Sequence, residues 1–335
     1  MKRNKIRIAQ FGCGPIGCSI VRAALKKQDI DIVGAIDFVN NDQEIGEIAG
    51  ANRDLGVLIS DDGATVINQT KPHVVLHATS SSLETIYPQI EMILKAGVNI
   101  VSTCEELLFP FREHPELASK IDSIARENKV TILGTGVNPG FLMDTWPLVM
   151  TAVCDDVTHV RVVRVQDASL RRIPFQKKIG AGNTIEEFDE LVKQGTLRHV
   201  GLPESLEMLA AGLGFELDEI KETIEPIVAE NEVSSDHITV NPGEVAGVKQ
   251  VGYGRKSKKE LIRLEFEAYI GAKEPYDAVY ITGNPNVETI IEGGTHGDIA
   301  TAAVVVNSIK RVIESPPGLV TMKDLPPVSW WTFNN

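Results

Sequence analysis

The segment FGCGPIGCSI (residues 11–20) sets the fold class, because it spaces three glycines in the pattern G-x-G-x-x-G. The apolar run IRIAQF precedes it and the stretch GCSIVRAALKK contains its helix, which gives the strand, turn and helix of a dinucleotide-binding unit. The first glycine permits the tight turn, the second lets a pyrophosphate approach the backbone, and the third lets the helix pack closely. The helix dipole also favours phosphates. The residues predicted to contact a cofactor here are Gly12, Gly14, Pro15, Ile16 and Gly17.

An acidic residue ends the next predicted strand, where IDIVGAIDF places Asp37 twenty residues after Gly17. A carboxylate at that place accepts hydrogen bonds from the adenosine ribose and repels a 2′-phosphate. Phe38 follows it and no arginine stands beside it, so the pattern favours NAD, with NADP left open. The alternative is a glycine-rich turn without a dinucleotide, which the combination of strand, loop, helix and acid disfavours.

Short apolar runs alternate with amphipathic, helix-length segments over residues 6–135, which is typical of a parallel sheet built from strand–helix–strand units. Six runs are predicted as strands: IRIAQF, IDIVGAID, GVLIS, VVLHATS, NIVSTC and VTILGTG. Beyond Gly140, stretches such as VTHVRVVRVQDA alternate apolar and polar residues and are separated by helical segments. The predicted fold is α/β, with a Rossmann-type doubly wound parallel sheet in residues 1–140 and an α+β domain in residues 141–295.

Composition argues against several classes of protein. A formal charge of −13 disfavours a general nucleic-acid binder, because phosphate binding needs clustered lysine and arginine. The sequence has neither a signal-peptide pattern nor an apolar stretch long enough to cross a membrane, so a cytoplasmic protein without membrane contact is expected. The four cysteines form no C-x-x-C pair and the seven histidines no H-x-x-x-H spacing, so no metal site is expected.

Two loops at the carboxyl ends of strands carry hydroxyl and carboxyl groups, and ligands bind at that edge in this fold. HATSSS offers the hydroxyls of Thr79, Ser80 and Ser81 to the cofactor, although Ser81 or Ser82 can equally cap the next helix. In STCEELLFP two glutamates directly follow a buried strand. A desolvated carboxylate there can act as a general base, and the alternative is a solvated acid at a helix start. The residues predicted in this second loop are Cys104 for the cofactor and Glu105 and Glu106 for catalysis.

A third loop, GTGVNPG (residues 134–140), has too many glycines and a proline for regular structure. We predict that it forms a hinge and a close backbone contact, with Gly136, Val137 and Asn138 contacting the substrate. Asn138 has a plainer interpretation as the first residue of an Asn-Pro turn.

The succession FGCGPIG, STCEEL, GTGVNPGF, LRRIP and GGTHGDIATAAVVVN resembles the 2,4-diaminopentanoate dehydrogenases and the related native amine dehydrogenases. More distantly it is similar to meso-diaminopimelate dehydrogenase and dihydrodipicolinate reductase. The likeness covers most of the chain. It implies NAD(P)-dependent oxidative deamination of a small-molecule amine to a ketone and ammonia, with 2,4-diaminopentanoate giving 2-amino-4-oxopentanoate. It also implies that residues 141–295 bind substrate and form a homodimer, and that residues 296–335 return to the Rossmann domain.

The resemblance also implies roles for particular residues. A glutamate after the fifth strand serves the amine, which indicates the acidic pair and favours Glu105 over Glu106. Arg171 and Arg172 in SLRRIP are candidates to bind the substrate's carboxylate, because a guanidinium can do so with two hydrogen bonds. The alternative for the arginines is a surface pair that bridges to acids.

The last predicted helix supplies three further candidates under the same resemblance. They are His296 and Thr301 for the substrate and Asn307 for the cofactor. An ordinary helix cap explains the first turn of that helix equally well.

Two rival functions are open. One is another oxidoreductase of this architecture, similar to dihydrodipicolinate reductase or diaminopimelate dehydrogenase. Sugar oxidoreductases of this build place Glu-Lys-Pro after the fifth strand, and the reductases carry His-His-x-His-Lys after the domain crossover; CEELLFP and RVVRVQDASLRR lack these patterns. The other rival is a non-catalytic, dinucleotide-sensing protein, against which the acidic pair counts.

Overall fold

The computed structural model describes residues 5–51 and 53–332, which divide into two compact units. Unit 1 comprises the described residues up to Phe141 together with those from His296 onward, and unit 2 comprises Leu142–Thr295. Within the described ranges, no helix is both long enough and apolar enough to span a membrane.

Unit 1 is built on a parallel sheet. Its strands are β1 (Ile6–Phe11), β2 (Ile30–Ile36), β3 (Ile59–Ser60), β4 (Val74–His77), β5 (Asn99–Ser102), β6 (Thr131–Gly134) and, late in the chain, β15 (Gly318–Val320). Their order is β15-β6-β5-β4-β1-β2-β3, so the chain reverses direction across the sheet between β1 and β4. Ligands of doubly wound sheets bind at that reversal, and the predicted Rossmann-type fold is confirmed.

The described part of unit 1 contains six helices, four of which lie in segments predicted to be helical. They are α1 (Pro15–Ala24), α2 (Ile45–Ile48), α3 (Gly63–Thr70), α4 (Leu83–Lys95), α5 (Pro115–Glu127) and α10 (Gly297–Glu314), with 3-10 turns at Glu105–Leu107 and Met322–Asp324. Helix α4 shows the local logic: the Ser82 hydroxyl accepts the Thr85 N–H, three isoleucines face the core, and the chain leaves the helix at Gly97 with φ +74°.

The sheet differs from the prediction at two strands. A seventh strand, β15, pairs in parallel with β6, whereas six were predicted. The three residues of β15 are too few to show any periodicity, so the pattern could not reveal them. The run GVLIS forms only the two-residue β3.

Unit 2 is α+β, as predicted. Strands β7 (Asp156–Asp167), β8 (Glu219–Val228), β11 (Val245–Lys256), β12 (Lys259–Tyr269), β13 (Tyr276–Asn284) and β14 (Val287–Glu292) form a mixed sheet, and β9 (Val233–Ser234) pairs with β10 (Thr239–Val240). The sheet order is β14-β13-β7-β12-β11-β8, with β7 and β12 parallel. The helices are α6 (Thr145–Met150), α7 (Ile173–Lys178), α8 (Ile185–Lys193) and α9 (Leu202–Leu213), with 3-10 turns at Thr151–Val153 and Ala168–Leu170.

Helix α9 covers one face of this sheet. A Cβ on Gly252 would lie 2.9 Å from the Leu206 side chain, so the glycine allows α9 to approach β11 closely. Side chains alternate along a strand, so Gln250 shares this face while Lys249 points to the other.

Candidate active site

The presence of glycine at each of the three positions of the first turn has a different physical explanation. Gly12 has φ +86°, and a Cβ there would lie 2.3 Å from the Ala78 carbonyl oxygen. A Cβ on Gly17 would lie 1.8 Å from the Gly12 oxygen. At Gly14 a Cβ would meet nothing within 4 Å, so packing does not require this glycine. The fold explains the first and third glycines, whereas the second borders open space that a pyrophosphate can use.

Gln10, which lies outside the G-x-G-x-x-G motif, stabilises the turn by a hydrogen bond. Buried Gln10 donates from Nε2 to the Gly12 carbonyl at 2.9 Å. Helix α1 then starts at Pro15 with no side-chain cap at Gly14. The first N–H groups of a helix lack intrahelical partners, so this end suits an anion, and Ile16 and Gly17 lie on it.

Asp37 follows β2 and binds the same turn. Its carboxylate accepts the N–H groups of Cys13 at 2.6 Å, Val39 at 2.8 Å and Asn40 at 2.9 Å. Burial would raise the pKa of Asp37, but these hydrogen bonds outweigh burial and lower it. The ionised carboxylate therefore orients the turn, and its remaining lone pairs can still accept from a ribose hydroxyl. The ribose contact stays a prediction.

A cavity of about 640 Å³ opens beside this turn. Gly14, Pro15 and Asn40 line it, and so does His296 at the start of α10. The structure thus brings predicted cofactor residues and one predicted substrate residue to the same cavity within unit 1.

The two glutamates after β5 differ in their surroundings. The Glu106 Oε2 atom accepts the Leu83 N–H at 2.8 Å and lies 3.2 Å from Nε2 of His114. Glu106 therefore binds the start of α4 and the loop before α5, which is a structural function. Glu105 lies one residue earlier on the same 3-10 turn and is half-buried. The sequence could not distinguish these two carboxylates, because the difference depends on Leu83 and His114, which lie eight or more positions from Glu106 in the chain.

Cys104 is 1% exposed, and its thiol donates to the Ser81 carbonyl at 3.1 Å. Burial, with the charges of Glu105 and Glu106, raises the pKa of this thiol well above its ordinary range, so it stays protonated and unreactive. The structure gives Cys104 a packing function, and its predicted cofactor contact stays a prediction.

The loop after β6 contains the buried side-chain amide of Asn138. Asn138, which precedes Pro139 through a cis peptide bond, has buried side-chain N and O atoms that form no hydrogen bond within the described part of the chain. The Val137 N–H reaches the Thr301 hydroxyl at 3.3 Å, and a Cβ on Gly136 would lie 3.7 Å from the Thr301 methyl group. Buried polar groups without partners are rare in proteins, so Asn138 fits a ligand contact better than a simple turn.

The remaining predicted residues of unit 1 lie apart from these contacts. Thr79 is exposed, and its hydroxyl donates to Gln89 at 2.9 Å. The Ser80 hydroxyl accepts the Ser82 N–H at 3.2 Å, and Ser82 rather than Ser81 caps α4. Asn307 is half-buried, almost two turns after Thr301 on α10.

In unit 2 the predicted arginines are not a simple surface pair. Arg171 donates from Nη1 to Gln166 at 2.7 Å, and its guanidinium stacks on the Phe175 ring at 4.1 Å. Arg172 precedes α7 and is also half-buried.

A third arginine, Arg164 on β7, was missed by the sequence reasoning. It is 1% exposed, donates from Nη2 to the Thr295 carbonyl at 3.0 Å, and has Nε 3.5 Å from the Asp277 carboxylate. Nε and Nη1 form no hydrogen bond with any residue that the structure describes. Burial lowers the pKa of Arg164 to about 10, only partly offset by Asp277. A sequence signal did exist, because Arg161 and Arg164 in one strand must point to opposite faces.

His199 lies among these cations. Desolvation, followed by the charges of Lys178, Arg164 and Arg171, lowers the pKa of His199 to about 3. Its ring packs on Phe266 at 4.5 Å, and its buried Nδ1 has no hydrogen-bond partner in the described ranges. A neutral imidazole beside three cations, with unpaired N–H groups on a buried guanidinium, is the electrostatic environment of an anion site.

Among residues 5–51 and 53–332, no group of three or more His, Cys, Asp or Glu side chains is arranged to hold a metal ion.

Comparison with known proteins agrees with the fold described above. The family model of the 2,4-diaminopentanoate dehydrogenase C-terminal domain matches residues 141–332, and that of the dihydrodipicolinate reductase N-terminus matches residues 6–104. The chain is 33% identical to 2,4-diaminopentanoate dehydrogenase of Acetoanaerobium sticklandii over 96% of this chain and 94% of that protein. It is 24% identical to an amine dehydrogenase of Streptomyces virginiae over 94% and 95% of the two chains.

Among solved structures, amine dehydrogenase from Mycobacterium smegmatis superimposes with a TM-score of 0.87 at 26% identity, covering 99% of each chain. The chain belongs to the 2,4-diaminopentanoate dehydrogenase family.

Proposed function

We propose that this protein is an NAD(P)-dependent amine dehydrogenase, that it converts 2,4-diaminopentanoate to 2-amino-4-oxopentanoate and ammonia, and that it aminates the ketone in reverse. The observation that carries the proposal is the structural function of Glu106, which accepts the Leu83 N–H and lies against His114. The resemblance of STCEEL to the family favours Glu105 as the carboxylate that serves the amine, and the function of Glu106 supports that preference. Family membership supports the reaction class.

The glycine turn fits a nicotinamide dinucleotide. The open space above Gly14 and the uncapped start of α1, with the N–H groups of Ile16 and Gly17, suit the pyrophosphate, and Asp37 suits the ribose. A fixed anion at Asp37 disfavours a 2′-phosphate, so NAD is the preferred cofactor. When bound, the nicotinamide accepts a hydride during deamination and returns it during amination.

Glu105 moves the protons. It takes a proton from the substrate ammonium, which frees the nitrogen lone pair that must support loss of hydride from the adjacent carbon. The product of that loss is an iminium. Glu105 passes the ammonium proton to the solvent and, again ionised, deprotonates the water that adds to the iminium carbon. The proton that it then holds goes to the nitrogen, and C–N cleavage with loss of the hydroxyl proton gives ketone and ammonia. The unpaired amide of Asn138 orients the reacting group by hydrogen bonding.

Recognition of the substrate carboxylate is assigned to unit 2. The charges of Arg171, predicted from the sequence, and of Arg164, found in the structure, both lower the pKa of His199. A carboxylate there would accept from the unpaired N–H groups of Arg164. This favours an amino acid over a simple amine as substrate.

We infer that the protein forms a homodimer through the sheet face of unit 2 opposite α9. On that face Glu265 binds Arg161 at 2.6 Å and Arg263 at 2.7 Å, and Lys249 binds Glu267 at 2.8 Å. Rows of both charges on a flat sheet can pair with a second copy related by a two-fold axis. A solution mass near the 36.5 kDa of one chain, measured by sedimentation, would contradict this inference. The cytoplasmic location stays a prediction.

The rival functions are less well supported. The reductase model matches residues within unit 1, whereas the diaminopentanoate dehydrogenase model includes all of unit 2 and α10. Substrate recognition therefore favours amine chemistry over reduction of a cyclic imine. The acidic pair after β5 counts against a sensing protein, which would have no need of a base there.

The decisive experiment follows NADH absorbance with purified protein. The substrates are 2,4-diaminopentanoate, the same diamine without its carboxylate, and short aliphatic amines, each with NAD and NADP. We expect the fastest rise with the diamino acid and NAD. Absence of a rise with every amine would overturn the proposal, and NADPH-dependent reduction of 4-hydroxy-tetrahydrodipicolinate would support the rival enzyme.

A further inference from the structure

His77, the last residue of β4, is a buried titratable group that the proposed chemistry does not use. It is 0% exposed, and its ring meets the Phe11 ring edge-on at 5.4 Å. Both ring nitrogens have polar partners: Nδ1 lies 3.0 Å from the Ser102 hydroxyl and Nε2 lies 2.7 Å from Oε1 of Gln89. A buried imidazole with both nitrogens engaged has a single orientation.

The chemistry of the partners fixes the proton. An amide oxygen only accepts, so Nε2 of His77 donates to Gln89, and Nδ1 of the neutral ring accepts from the Ser102 hydroxyl. The Ser102 oxygen in turn accepts the Cys104 N–H at 3.2 Å. Burial lowers the pKa of His77 to about 4, so the ring stays neutral at assay pH. The chain of hydrogen bonds ends on the N–H of Cys104, the residue before Glu105.

The hydrogen bonds around Nε2 of His77 extend to the loop after β4. The Thr79 hydroxyl lies 3.1 Å from Nε2 of His77 and donates to Gln89 at 2.9 Å. His77 therefore joins the loop with the predicted cofactor hydroxyls to the loop with the predicted base. The main-chain hydrogen bond from Thr103 to the His77 carbonyl, at 2.9 Å, is independent of the ring and survives its replacement.

We propose that His77 is a positioning residue that aligns Glu105 with the cofactor loop through its Nδ1–Ser102–Cys104 branch. The proposal rests on the function proposed above for Glu105. Displacement of a reacting group by about 1 Å can reduce a rate by about 100-fold, so loss of this branch should reduce kcat without weakening cofactor binding.

Two replacements of His77 distinguish the hydrogen bond of Nδ1 to Ser102 from the hydrogen bond of Nε2 to Gln89, because each replacement keeps only one of them. The Asn amide oxygen can occupy the place of Nδ1 and accept from Ser102, whereas the Gln amide nitrogen can occupy the place of Nε2 and donate to Gln89. His77→Asn keeps the Ser102 branch, and His77→Gln keeps the Gln89 branch. Ser102→Ala removes the first branch without touching the imidazole, and it tests the proposal if both His77 variants fail to fold.

The readouts are kcat and KM for the amine, Kd for NADH, and labelling of Cys104 by a thiol reagent, followed by peptide mass spectrometry. For His77→Gln and Ser102→Ala we expect kcat to fall about 10- to 100-fold with KM and Kd nearly unchanged. We also expect Cys104 to label about tenfold faster in both, because its loop opens more often. His77→Asn should stay within about threefold of wild type in both readouts.

Cys13 and Cys18 are internal controls, because both are buried in the same unit, Cys13 in the glycine turn and Cys18 on α1. Equal acceleration at all three cysteines would mean general loosening and would overturn the proposal. Equal kcat in the Asn and Gln variants, or wild-type behaviour of Ser102→Ala, would also overturn it. If the wild type turns over no amine, the proposed function fails, while Cys104 labelling still tests the positioning by His77.

Discussion

The charged groups of the two polar sites, Asp37 in unit 1 and Arg164 in unit 2, differ in how completely they are hydrogen-bonded by the protein. At the edge of the unit 1 sheet, main-chain groups satisfy the charges, and Asp37 accepts three backbone N–H groups. In unit 2, Arg164 is buried with two nitrogens that have no hydrogen-bond partner among the described residues. The Asp37 carboxylate has its hydrogen bonds without a ligand, whereas the Arg164 guanidinium keeps hydrogen-bonding capacity for an anion.

The difference has an energetic consequence. A buried charge costs several kcal/mol unless its hydrogen bonds are made, so Arg164 destabilises the unliganded fold by an amount that a bound carboxylate can offset. Asp37 carries no such cost, because its hydrogen bonds outweigh its burial. Substrate binding should therefore stabilise unit 2 more than unit 1.

The largest expected effect belongs to Glu105. Glu105→Gln removes the proposed base and should lower kcat by about 10²- to 10⁴-fold while the Kd for NADH stays unchanged. Glu106→Gln is the matched control: it weakens the contacts to Leu83 and His114 and should destabilise the fold by about 1–3 kcal/mol with a smaller loss of kcat. Steady-state kinetics and thermal unfolding of both variants check this. The reverse order of the two kcat values would identify Glu106 as the base.

The next effect tests the anion site. Arg164→Met should raise KM for 2,4-diaminopentanoate about 10- to 100-fold, because a charged hydrogen bond is worth about 1.5–3 kcal/mol. KM for the diamine without a carboxylate should not change. The double variant Arg164→Met/Asp277→Asn avoids leaving Asp277 as an unpaired buried charge and should behave alike.

Arg161→Met is the control for this site, because Arg161 lies on the opposite face of β7 and binds Glu265. It should leave both KM values unchanged. A rise in KM for both substrates in Arg164→Met would mean general damage to unit 2 and would remove the carboxylate function from Arg164.

The same contrast explains what the sequence could predict. The glycine turn, Asp37 and the acidic pair were visible because each is a local pattern placed at a strand end. The parallel sheet was visible because strands buried on both faces are continuous apolar runs. The choice between Glu105 and Glu106 was not visible, because it depends on Leu83 and His114.

The anion site of unit 2 was invisible for a related reason. Arg164, His199 and Asp277 come from a strand, a loop and another strand, and no spacing joins them. Only the strand register, which pairs Arg164 with Asp277 across β7 and β13, places them together. The pair Arg171 and Arg172 was found because a known motif contains it, and Arg164 was missed because a strand arginine looked like part of a solvated face.

The smallest expected effect tests whether the dinucleotide binds in the open space above Gly14. Gly14→Ala places a methyl group where no protein atom lies within 4 Å, at a backbone φ of −70°, so the thermal unfolding temperature should not fall. The methyl group should nevertheless weaken NADH binding about tenfold if the pyrophosphate approaches there. Gly17→Ala would instead place a Cβ 1.8 Å from the Gly12 oxygen and should destabilise the fold itself. Fluorescence titration with NADH, beside calorimetry, separates the two glycines. Unchanged NADH affinity in Gly14→Ala would mean that the open space above the turn is not where the dinucleotide binds.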